Sequence, residues 1–253
     1  MSGGFFNTFF TEPLYNGLIF LMDALPWVDA GVVIVLFTVV VKLILFPLSR
    51  KAIHTQVRMK EIEPELKSIK EKYKNDKQKQ AMATMDLYRM NHVNPFSSFL
   101  LILIQIPIIF ALYKIFLSGG LPSINTEALY SFIPSPETVD TKFLGLLEIT
   151  KKSVILALAA GVSQYFQAKF SIPALPPKNS AGKPSFQEDL ARGMHLQMRY
   201  ILPVITFVIS YSISGAVALY WTTSNVFAIV QELYVRGRLK SRTTPKGPDL
   251  AKS

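Results

Sequence analysis

The chain has 253 residues, half of them hydrophobic, with 18 Phe, 10 Tyr and no Cys, and its mean hydropathy is positive. A soluble domain of this length rarely carries so many apolar runs, and the missing cysteine excludes disulfides, thiolate metal sites, a cysteine nucleophile and a lipid-modified cysteine. The formal charge of +10 admits nucleic acid as a partner, so where the charges sit carries more weight than their sum.

Residues 1–30 hold no Lys or Arg, and Lys42 is the first basic residue, so no cleavable signal peptide is expected. "FFNTFFTEPLYNGLIFLMDALPW" is apolar but interrupted by Asn7, Thr11, Glu12, Asn16 and Asp23, with Pro13 inside it. That pattern favours an interfacial amphipathic helix on the outer face over an additional span. Five spans follow, at about 31–48, 96–117, 153–170, 200–214 and 215–235. The last two form one apolar block broken at "SISG", which reads as a tight helical hairpin. All five are at or below the length that crosses a ~30 Å core comfortably.

The connections set the orientation. Residues 49–95 carry eleven Lys and Arg, 118–152 three, 171–199 four and 236–253 six. Basic segments alternate with poor ones as five crossings require, giving an outer N-terminus and a cytoplasmic C-terminus. The 49–95 segment reads as a cytoplasmic helical hairpin. Ile62, Leu66, Ile69 and Tyr73 form an apolar stripe, Pro64 fits a first turn, and Met82, Met85 and either Tyr88 or Arg89 share one face of a second helix. The plain alternative is a solvated spacer. In 171–199, a Pro/Gly/Lys stretch precedes a helix start with Ser185 and Glu188 at capping-box spacing. The tail 236–253 is basic and poor in apolar residues; its charge fits RNA phosphates or simply the cytoplasmic side.

Catalytic signatures are missing: there is neither GxxxxGK[ST] nor HExxH, and His54, His92 and His195 are far apart. No catalytic residue, cofactor or metal is therefore expected. The spans instead carry neutral polar groups: Thr38; Ser98 and Gln105; Ser163, Gln164 and Gln167; Thr206 and Ser210; and "YWTTSN" with Asn225. Such groups often only hold helices together. Lys42 is harder to explain that way, because a lysine at a span centre costs about 2.5 to 3.5 kcal/mol on insertion scales. Glu232 is the lone acid within the spans, near their inner end. Either Lys42 snorkels to the lipid heads or it stands unpartnered in a wet cavity open to the cytoplasm.

"VVVKLILFPLS", "KEIEPELKSIKEKYKNDKQKQAMATMDLYRMNHVNPF", "LLILIQIPIIFALYKIF" and "GAVALYWTTSN" together resemble the YidC family of membrane protein insertases, over about residues 10–240. The resemblance implies an all-α polytopic membrane protein: five transmembrane helices around a hydrophilic groove, with a cytoplasmic hairpin, in a bacterial form without the large periplasmic domain. It implies insertion of nascent membrane proteins in the bacterial inner membrane without nucleotide hydrolysis, alone or beside the Sec translocon. Lys42 matches the groove's positive charge, where arginine is commoner. Thr38 and Trp221 match a substrate slide, with tryptophan in place of the more usual tyrosine. The hairpin matches about Arg50 to Asn91, while "NPFSSF" departs from the family's small residues. Ribosomes or targeting factors at the cytoplasmic loops, contact with membrane lipids and function as a monomer are further expectations. An assembly scaffold for the translocon and a small channel or transporter are the alternatives.

Overall fold

In the computed structural model the described residues are 4–94, 97–117, 124–171, 193 and 195–243, and nearly all regular structure is helical. The chain divides into two compact units, one of Met1–Leu45 with Ile102–Ile229 and one of Phe46–Leu101 with Val230–Ser253.

The first unit opens with a π-helical turn, Asn7–Thr11, that runs into α1, Glu12–Ala24. Helical backbone runs unbroken from Phe5 to Ala24 through this turn, so Pro13 lies inside a helix, as its place in the apolar run suggests, with the π-turn directly ahead of it. One face of α1 is buried through Tyr15, Leu18, Ile19 and Met22, packed with Val33, Ile34 and Phe37 of α2, Ala30–Ile44. The segment thus belongs to the core of this unit. α6 spans Ser97–Leu117, α7 Val154–Ser171, α8 Leu202–Ile213 and α9 Gly215–Thr243.

Residues 124–152 of the expected outer loop form a cover over two helix N-termini. A short antiparallel ladder pairs Lys142 with Glu148 and Phe143 with Leu147. Helix N-termini leave backbone N–H groups without intrahelical acceptors, and the loop supplies acceptors at two of them. Ala30 N donates to the Asp140 carbonyl at 2.8 Å, Gly215 N to Lys151 and Ala216 N to Ile149, each also at 2.8 Å. Asn16 clamps the loop from below, donating to the Ala128 carbonyl at 3.0 Å and accepting from Tyr130 N at 2.7 Å. The contact needs glycine: a Cβ on Gly31 would lie 2.5 Å from the Phe143 ring, and one on Gly215 3.1 Å from the Ile149 backbone.

Three of the apolar helices are short, with 15 residues in α2, 18 in α7 and 12 in α8, while α6 has 21. At 1.5 Å per residue, even 18 residues give about 27 Å, under the ~30 Å hydrocarbon core. Among the described residues no single helix is long and apolar enough to cross a membrane, although Ala30–Ile44 and Phe46–Glu61 together have the length and composition to do so. The sequence run 31–48 is divided at Leu45. Each apolar helix nevertheless exposes a stripe of large side chains, such as Leu36, Val40 and Leu43 on α2 and Leu158, Val162 and Phe166 on α7. Their spacing of three or four places them on one helix face, as an apolar solvent would require.

In the second unit α3 (Phe46–Glu61), α4 (Glu63–Lys72) and α5 (Lys77–Met90) form the segment read as a two-helix hairpin, with three helices in place of two. Asp76 caps α5, and the Lys79 backbone N–H it accepts holds its carboxyl below the usual range. The apolar centre is Ile62, Leu87 and Val93, with Leu66, Ile69, Met59 and Tyr88 against it. Pro64 is at the start of α4 and Tyr73 caps its end. Met82 and Met85 do not join that centre: they are 62% and 54% exposed, because Leu87 takes the inward face of α5. The expected helix start at Ser185 and Glu188 lies outside the described residues.

Candidate functional site

Lys42 lies in the last turn of α2. The sequence run to 48 suggests a mid-span position, but the break at Leu45 brings the lysine to a helix C-terminus, where unpaired carbonyls favour a cation. It is not unpartnered, which corrects the expectation of a free ammonium. Its Nζ donates to Gln105 Oε1 of α6 at 3.1 Å, and Gln105 Nε2 donates to the Tyr220 hydroxyl of α9 at 2.8 Å. The chemistry fixes this order. Lysine has three donors and no acceptor, so the amide must turn its oxygen to Lys42 and its NH2 to the tyrosine. Tyr220 is 3% exposed, so the chain is anchored at a buried hydroxyl and opens towards the ammonium. Among the described residues Gln105 is the one hydrogen-bond partner of Lys42, leaving two of its N–H groups for water or an anion.

The other expected groove residues fall into separate sets. Asn225 of α9 donates to the Ser163 hydroxyl at 3.1 Å, and Ser163 donates to the Ala160 carbonyl of its own helix. Along α7, Gln164 donates to Gln167 at 3.2 Å and Gln167 to Ser171 at 3.0 Å. Thr206 and Ser210 of α8 are buried. Thr38 departs most from its expected role. It is 1% exposed and its hydroxyl bonds back to the Ile34 carbonyl at 2.6 Å, so it presents nothing to a passing chain. Trp221, next to the buried Tyr220, is partly exposed against the apolar core. The side chain of Ser98 lies outside the described ones. Tyr220 is the member that sequence reading passed over; "YWTTSN" shows a polar cluster, but only the fold tells which hydroxyl meets Gln105.

The 60Kd inner membrane protein family model matches residues 22–242. This chain belongs to that family. Among its relatives, one from Fusobacterium nucleatum subsp. nucleatum, named membrane protein insertase YidC, is 31% identical over 205 residues, covering 81% of this chain and 85% of its own length. A protein of the same name from Clostridium tetani is 30% identical over 211 residues, covering 83% of each chain. One from Syntrophobacter fumaroxidans is 32% identical over 212 residues, covering 81% of this chain but 34% of its own. The family is thus matched both by a relative of similar length and by one about two and a half times as long as this chain.

Proposed function

We propose that this inner membrane protein inserts newly made proteins into the bilayer, and that the Lys42–Gln105–Tyr220 chain receives the polar flank of an incoming segment. The observation that carries this reading is an ammonium among apolar helices with two N–H groups left over beyond Gln105. A carboxylate on the leading flank can take those donors, and a charge-assisted hydrogen bond there is roughly twice as strong as a neutral one. Gln105 and Tyr220 hold the amine in place, so little ordering is left for the moment of contact. The cavity is hydrated and open to the cytoplasm, with the N-terminus outside and the C-terminus inside. The ordered cover over the N-termini of α2 and α9 supports closure on the outer side.

The short α2, α7 and α8 support a locally thin apolar layer, which shortens the dry path for the flank. The hydrophobic segment then passes Trp221 into lipid, and burial of its apolar surface drives the transfer. Thr38 supports the helix and is no part of this surface. The hairpin segment first meets the substrate, and Sec or ribosome contact occurs at cytoplasmic segments. Reconstitution of the purified chain in liposomes tests the reading. Insertion of a single-span substrate without solute flux is the expected result, while solute flux without insertion would favour a channel and loss of both activities would favour a scaffold.

A further inference from the structure

The second unit contains a pocket that shares no residue with the Lys42–Gln105–Tyr220 chain. Phe46, Arg50 and His54 line it from α3, and Tyr234, Arg238 and Leu239 from α9. On α3 the three residues are spaced by four, so an aromatic ring and two basic groups follow one another down a single face. On α9 the Arg238 guanidinium lies 5.0 Å from the Tyr234 ring centre, which holds it over an apolar surface. Gln231 Nε2 donates to Ser49 Oγ and ties the two walls together. Among the described residues no carboxylate lines the pocket. Glu232, the lone acid of α9, is taken up by Arg236 at 2.6 Å. Two arginines, one histidine, two rings and a leucine make a cavity that is cationic at one part and apolar at another.

We propose that this pocket binds the phosphate of an anionic phospholipid, with Arg50 and Arg238 as donors and Phe46 and Leu239 against the first acyl carbons. Guanidinium groups match phosphate with paired N–H donors. A soluble phosphate would use the arginines but leave the apolar wall bare, and Phe46 follows in sequence directly on the apolar segment that ends α2. The assignment requires the family's membrane location but not insertion activity, so its failure leaves the insertase reading standing.

The test is native mass spectrometry of the full chain in detergent, titrated with phosphatidylglycerol or phosphatidylcholine, with and without inorganic phosphate. The wild-type chain is expected to retain one phosphatidylglycerol in preference to phosphatidylcholine, and millimolar inorganic phosphate should not displace it. Arg50→Gln with Arg238→Gln should weaken retention about 25-fold, at about fivefold per basic contact. Lys51→Gln with Lys60→Gln, which keeps the pocket, should leave it unchanged. Equal retention of both lipids by the wild-type chain, ready displacement by inorganic phosphate, or an undiminished signal in the double arginine variant would each overturn the proposal. The lipid comparison on wild-type protein decides even if the variant does not fold.

Discussion

Two sets of polar side chains are buried among the apolar helices of the first unit, and they are finished differently. Around Lys42, the Gln105 amide uses its oxygen on the ammonium and its NH2 on Tyr220. On α8, the hydroxyls of Thr206 and Ser210, 0% and 1% exposed, have no hydrogen-bond partner among the described residues. Sequence reading counts both as polarity within spans. The difference lies in pairing: a linked chain fixes a charge in place, whereas an orphaned hydroxyl weakens the packing unless something else supplies a partner.

Breaking the linked set should have the largest effect. Gln105→Leu leaves the ammonium without its acceptor, and should lower stability in detergent by about 1.5–3 kcal/mol, the range for hydrogen bonds to charged groups, read from chemical unfolding. Tyr220→Phe removes only the far anchor, and a loss of about 1 kcal/mol is expected in the same measurement. Thr206→Val sharpens the contrast with the opposite sign. It keeps the shape and removes an unpaired hydroxyl, so stability should stay level or rise by up to about 1 kcal/mol. A loss as large as that of Gln105→Leu would mean that Thr206 is paired after all.

The smallest effect belongs to the outer cover, where a polar pair titrates. The Thr150 hydroxyl donates to Glu148 at 2.6 Å and is the main cause holding that carboxyl below its usual range. A depressed folded-state pKa stabilises at neutral pH, and that contribution is lost as pH falls through the folded value, below the ordinary ~4.3. Amide exchange at Thr150, corrected for intrinsic rate, should therefore quicken between pH 6 and pH 3, and Thr150→Val, which keeps the backbone donor to Glu148, should weaken the dependence.

Some of this was open to sequence reading. "SISG" marks a helix break because serine and glycine weaken a helix there, and the structure turns at Ser214 with an extended backbone. Lys42 and Gln105 stand out as polar residues in apolar runs. The break at Leu45 is hidden, because "LILFPLS" keeps its hydropathy across the break and Pro47 serves equally as the end of one helix or the first turn of the next. Met82 and Met85 have the spacing of an inward stripe, but Leu87 wins the inward face, and periodicity cannot rank competing faces on a short helix. Asn16 looks like an interruption in sequence; in the structure it clamps a loop more than a hundred residues away. Contacts of that range depend on topology and leave no local pattern.

A charge exchange between Lys42 and its passenger separates an ammonium that receives the flank from one that only joins helices. Insertion into liposomes would be measured for single-span substrates with an acidic, neutral or basic leading flank, using the wild-type chain and Lys42→Glu. The wild-type chain should favour the acidic flank, and Lys42→Glu should shift the preference towards the basic one. The same flank preference in both proteins would contradict it.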